Sequence, residues 1–173
     1  MSITFAAAQA ECFLFTFKDG VMQRLAHDLK LRVAKLSLTL DGEQSVRATF
    51  DAGSVTAVCY RKDGADDPSG ADADLRTIEG IARGEILQSA QYPEITFAST
   101  RITKTDAGYT VDGALTIKGK SKDVAVAVKR DGERYLGELS IDQRDFDIKP
   151  YSAMFGTLRI QPVLKIVVEV PAA

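Results

Sequence analysis

Apolar and polar positions alternate most cleanly between residues 109 and 129. Tyr109, Val111, Leu115 and Ile117 fall on one face and Thr110, Asp112, Thr116 and Lys118 on the other, the two-residue period of a strand wet on one side. Val124, Val126 and Val128 repeat the pattern. The polar stretch 118–123 between them reads as a hairpin turn in which Gly119 takes a positive φ. An antiparallel hairpin is therefore the organising unit.

The rest of the chain reads as partners for it. Residues 11–18 set Phe13, Phe15 and Phe17 against Cys12 and Leu14 and stop at Asp19-Gly20, a first strand. After residues 21–25, the run 26–40 changes phase: Leu29, Leu31 and Val33 form the apolar set first, then Ala34, Leu36, Leu38 and Leu40. One extra residue produces such a shift, which predicts a β-bulge near Val33 and Ala34. Residues 46–50 and 55–60 read as a strand with a jog, 94–103 as a strand entered from Tyr92-Pro93, and 135–145 and 157–170 as two more.

Only residues 72–87 carry a helical period, with Leu75, Ile78, Ala82 and Ile86 recurring at three or four positions and Asp72 placed to cap the start. Residues 150–156 read as a single helical turn between Pro150 and Gly156. Eight strands and one helix in up-and-down order predict an all-β protein, an eight-stranded antiparallel β-barrel with room for a small ligand.

Composition narrows the choice of function. At 173 residues and 45% hydrophobic content the chain suits one domain spanning residues 1–173. A net charge of -2 with pI near 5.5 argues against nucleic acid as a partner. Lys118, Lys120 and Lys122 make the one dense basic spot, at a hairpin tip where lysines keep edges soluble. The first residues carry no positive charge before their apolar part, and no apolar run reaches 18 residues, so neither a leader nor a membrane span is expected and the cytoplasm is the expected compartment. Cys12 and Cys59 then read as reduced thiols. Residues 61–74 hold five aspartates and read as a mobile, solvated loop without the spacing of a calcium-binding loop.

Catalytic parts are scarce. His27 is the single histidine, which excludes a multi-histidine metal site, and the two cysteines lack zinc-ligand spacing. Neither a metal nor another cofactor is expected. The sequence GALTIKGKS at residues 113–121 imitates a phosphate-binding loop but has five residues, not four, between its first glycine and Gly-Lys-Ser, and those five alternate as a strand. A hydrolase built on His27-Asp28 lacks a nucleophile elbow.

Three blocks in order, EILQSAQYPEITF at 85–97, YTVDGALTIKG at 109–119 followed by a valine-rich strand, and DFDI at 145–148, resemble the YceI-like family of lipocalin-like proteins. AHDL at 26–29 resembles the branch of that family with a His-Asp-Leu motif on its second strand. The resemblance implies a lipocalin-like barrel, a helix closing one side, and an apolar cavity that binds polyisoprenoid or other long-chain lipids without catalysis. Two features depart from it: no export signal is visible, and Asp147 stands where the family often has glycine.

On that reading a long-chain isoprenoid or fatty-acid-like ligand meets Phe13, Phe15, Phe17, Leu29, Leu31, Phe97, Phe146, Tyr151, Met154 and Phe155. His27, Lys118 and Lys120 serve its polar head, and the segment 151–155 closes the barrel mouth. The same apolar positions equally suit a solid core. The alternative is thus an interaction module acting through the acidic loop 61–74. A homodimer is left open.

Overall fold

The computed structural model describes residues 1–19, 27–156 and 158–172, without the side chain of Met154. The expected segment 21–25, Gly20 and Ala26 lie outside the described residues. The strands are β1 (Ser2–Ala6), β2 (Glu11–Thr16), β3 (Lys18–Asp19), β4 (Asp28–Val33), β5 (Leu36–Asp41), β6 (Ser45–Asp51), β7 (Val55–Lys62), β8 (Ala65–Asp67), β9 (Glu94–Lys104), β10 (Gly108–Ile117), β11 (Lys120–Asp131), β12 (Arg134–Asp142), β13 (Ser152–Ala153), β14 (Leu158–Ile160) and β15 (Val163–Pro171). The helix α1 (Asp72–Ile81) continues as a wider π-turn over Ala82–Ile86, where Leu87 N–H reaches back to the Ala82 carbonyl at 2.9 Å.

The central hairpin pairs β10 with β11 from Gly108↔Lys129 to Ile117↔Lys120. Its turn is tighter than expected. Only Lys118 and Gly119 are unpaired, both with positive φ (51° and 72°), the geometry that matches the twist of two-residue hairpins. Lys120 to Asp123 already belong to β11.

A long bent ribbon gives the sheet its curl. β4 and β5 form one side, β6 and β7 the other, paired from Asp41↔Ser45 through Leu36↔Phe50 and Val33↔Val55 to Asp28↔Arg61. At the bend Ala34 N–H donates to the Ser54 carbonyl (3.1 Å) and Asp51 N–H to the Lys35 carbonyl (3.0 Å). One half joins β2 through β4, the other joins β9 through β6, and β10, β11, β12 and β15 fill the circuit between them. The sheet is thus a lipocalin-like half-barrel that the ribbon completes, with eight long antiparallel runs when each side of the ribbon counts once. The phase change read at Val33 and Ala34 is this bend. A separate irregularity sits between Lys30 and Leu31, where Val58 is the extra residue on β7 and stays exposed.

Other details differ from the sequence reading. β1, which pairs with β5, is not signalled by its short apolar stretch. The acidic segment is not a loose loop: Asp63 and Gly64, both at positive φ, turn the chain into β8, which pairs with β7. Asp72 is the first helical residue instead of the cap, and Ala71 offers no side-chain bond. Residues 150–156 form the short strand β13 and a kinked turn, and the last strand is split into β14 and β15 at Gln161-Pro162. The strand expected over 135–145 ends at Asp142, and Asp147 takes the left-handed conformation (φ 54°, ψ 31°). It therefore adopts a backbone state that glycine reaches without a Cβ penalty.

Gly113 shows how closely the wall is packed. A Cβ there would lie 2.5 Å from the Ala98 carbonyl oxygen and 2.5 Å from Cζ of Phe97; the Phe97 ring borders the cavity, but the backbone oxygen cannot yield without parting β9 from β10. Gly113→Ala is expected to destabilise the protein by about 2 kcal/mol, read as a lower urea midpoint with an unchanged m-value; an unchanged midpoint would show that β9 and β10 separate freely.

Candidate functional site

Because side chains alternate across a strand, a curled sheet gives every second residue to its interior. Here β2 turns Cys12, Leu14 and Thr16 inward, β4 turns Leu29, Leu31 and Val33, and β10 turns Tyr109, Val111, Leu115 and Ile117. Val126 and Val128 of β11 and Leu164, Ile166, Val168 and Val170 of β15 continue the wall. Ile78, Ile81, Ala82 and Ile86 close it from the helix. These side chains do not meet at the centre. They enclose a cavity of about 690 Å³, within the range that binds whole small molecules.

The cavity is long. Its wall includes Gly42 and Glu43 at the tip of the ribbon and His27 and Tyr60 at the ribbon's other end. The tip is fastened to β10, where the Tyr109 hydroxyl donates to Glu43 Oε1 (2.7 Å) and the Tyr109 and Tyr135 rings meet edge to face. At the other end the His27 ring lies flat on Tyr60, centroids 4.0 Å apart. Asp28 does not engage His27 as a catalytic dyad would: its carboxylate accepts the backbone N–H of Lys18 at 2.8 Å.

Of the residues singled out from sequence, Leu29, Leu31, Phe97, His27 and Tyr151 stand on the cavity wall. Phe13, Phe15 and Phe17 do not. They take the opposite parity on the outer face, where Lys30 Nζ sits 4.6 Å from the Phe13 ring and the Arg61 guanidinium 5.0 Å from Phe15. Phe146 is 1% exposed and packs in the core with Leu115, Ile117, Ile141 and Ile148, side chains that line the cavity, but does not itself stand on the wall. Phe155 is fully exposed at φ 56°, so it does not close the mouth. The side chain of Met154 lies outside what is described. Lys118 and Lys120 are not on the wall either: Lys118 sits, half-buried, in the two-residue turn, and Lys120 Nζ pairs with Asp147 at 2.9 Å. Sequence reading missed Tyr60, Tyr135, Glu43 and Ile81, although the hairpin's own alternation already named Tyr109, Val111, Leu115 and Ile117 as one face.

The two cysteines are free thiols on opposite faces. Cys12 lines the cavity, and burial pushes its thiol up to about 12, which keeps it protonated and unreactive. Burial also raises Cys59 on the outer side, with Asp66 adding to the effect.

Comparison with known proteins accords with this geometry. A family model described as the YceI-like domain matches residues 6–172. Among solved structures, Burkholderia cenocepacia BcnA superposes with a TM-score of 0.64 at 21% identity, over 96% of this chain and 98% of that one. A polyisoprenoid-binding domain from Saccharophagus degradans, implicated in plant cell wall breakdown, gives 0.60 at 15% identity over 99% and 98%. A Campylobacter jejuni YCEI protein gives 0.54 at 18% identity over 83% and 84%. No curated protein matches. With the match running from the first strand to the last, and the half-barrel shared with these structures, the chain belongs to the YceI-like family.

Proposed function

We propose that the protein binds a long-chain lipid of the polyisoprenoid class inside the half-barrel and holds it without covalent chemistry. The observation that carries this reading is the cavity itself: long, about 690 Å³, and walled by aliphatic side chains from nearly every strand. Burying an apolar chain against such a wall contributes about 0.8 kcal/mol per CH₂. The polyisoprenoid binding named for the Saccharophagus degradans domain supports the same class of ligand. Free thiols on opposite faces fit a reducing compartment, and we place the protein in the cytoplasm. No helix among the described residues is long and apolar enough to cross a membrane.

The interaction-module alternative has less support. Its premise was a solid core, and one of the aspartates it relied on is engaged at home: Asp66 pairs with Lys30 (3.2 Å) and Arg61, which hold its carboxyl below the usual range, with Arg61 the larger influence. Equilibrium dialysis against a radiolabelled long-chain prenyl alcohol tests the binding reading. Saturation at one chain per protein is expected; no retention at any concentration would refute it.

A further inference from the structure

Building on the cavity-binding reading, we infer that the protein docks on an anionic lipid bilayer through the β13–β14 hairpin. The Phe155 ring enters the hydrocarbon, Lys149 and Arg159 meet the head groups, and the lipid chain passes between bilayer and cavity at this place.

A single exposed apolar side chain is ordinary on a protein surface; Phe155 is set apart by its backbone, its position and the charge around it. It is 110% exposed, and among the described residues it is the one aromatic side chain left fully in solvent. Its φ of 56° is a conformation that bulky residues rarely take. Strain of that kind collects at ligand clamps and other functional sites, and here no packing of the ring against the protein offsets it. The hairpin belongs to the small sheet β13–β14–β3, separate from the main one. Ser152 pairs with Arg159 and Ala153 with Leu158, which puts Phe155 in the turn at the tip. Tyr151, Leu158 and Ile160 stand on the cavity wall, so one short element joins the cavity to the exposed ring.

Residues 148–168 carry Lys149, Arg159 and Lys165 and no acidic residue, although the whole chain has a net charge of -2. Lys165 is paired with Glu138 (3.4 Å), while Lys149 and Arg159 are exposed before and after the turn. Asp19 stands across from Arg159 on β3 and offsets part of its charge. The acid that precedes the segment, Asp147, is held by Lys120 (2.9 Å). An apolar tip flanked by cations suits the interface of an anionic membrane. A bilayer is also the phase in which a long lipid chain resides, because water excludes its apolar surface.

The whole protein is tested on phosphatidylcholine vesicles with and without phosphatidylserine. The chain has no tryptophan, so Phe155→Trp puts a single reporter at the tip, and its emission is expected to shift to the blue on adding vesicles with phosphatidylserine. Phe155→Asn removes the ring and suits a positive φ; its co-sedimentation with those vesicles is expected to fall at least about tenfold. Lys149→Gln combined with Arg159→Gln is expected to lose about fivefold on vesicles with phosphatidylserine and nothing on phosphatidylcholine alone. A prenyl alcohol preloaded in the vesicles is expected to reach wild type at least about tenfold faster than Phe155→Asn. An emission that does not move, or co-sedimentation of Phe155→Asn equal to wild type, overturns the inference, and the cavity reading then stands or falls on dialysis of the dissolved chain. Docking that depends on Phe155, with no uptake of the chain from vesicles or solution, supports the bilayer as partner and refutes the cavity reading.

Discussion

Glu79→Ala is expected to lower the unfolding free energy by about 3 kcal/mol. Among the described residues, no strand lies beside the outer edge of β7 between Val55 and Ala57, since β8 covers only Tyr60 to Lys62. Helix α1 takes the strand's place with side chains. Glu79 Oε1 accepts the Ala57 N–H (2.9 Å), Arg76 Nη2 donates to the Ala57 carbonyl (3.0 Å), and Arg83 Nε donates to the Val55 carbonyl (2.7 Å). Glu79, itself buried, pairs with both arginines and fixes them over the edge. Alanine strands a buried N–H and frees the two guanidinium groups at once. Glu79→Gln keeps the acceptor and loses only charge, so about 1 kcal/mol is expected. Urea unfolding of the two variants checks this; equal losses would mean that Ala57 N–H is satisfied without Glu79.

Val126→Asp is expected to weaken lipid binding roughly thirtyfold while leaving the empty protein folded. Val126 lies on the cavity wall and is only partly buried, so in the unliganded state the carboxylate faces space that water can reach. A bound chain displaces that water and leaves the charge against hydrocarbon, at about 2 kcal/mol or more, and 1.4 kcal/mol is about tenfold in affinity. Phe155→Asp is the matched control. Sequence reading made Phe155 part of a lid, but it is fully exposed and off the wall, so unchanged affinity is expected. Dissociation constants for one prenyl alcohol, with circular dichroism of each variant, decide the point: equal weakening by both substitutions would place the ligand outside the cavity.

The contrast between Val126 and Phe155 shows what the sequence could reveal. Strand alternation at 109–128 identified the hairpin and one complete face of the cavity, because a two-residue period is a local property of the chain. It could not say which face of β2 turns inward. Phe13, Phe15 and Phe17 are the larger set, yet they lie outside, Phe13 and Phe15 under cations from β4 and β7, while Cys12, Leu14 and Thr16 face in. That choice depends on residues distant in sequence. β8 was hidden for the same reason: its aspartates have little strand propensity of their own, and pairing with β7 and the ion pairs of Asp66 hold it in place. The turn at residues 154–156 contains a phenylalanine at φ 56°, a conformation that a bulky residue rarely takes and a reading from propensity does not anticipate. His27 drew attention as a lone histidine, but its role is set by the Tyr60 ring beneath it.

Native mass spectrometry of freshly purified protein, followed by addition of prenyl chains to the stripped protein, tests the central claim most directly. The expected result is an adduct of an apolar molecule of about a few hundred daltons at one per chain, removed by organic extraction and restored by an added prenyl alcohol in wild type but only weakly in Val126→Asp. A protein that carries no adduct, and takes up no prenyl chain when one is supplied, would contradict it.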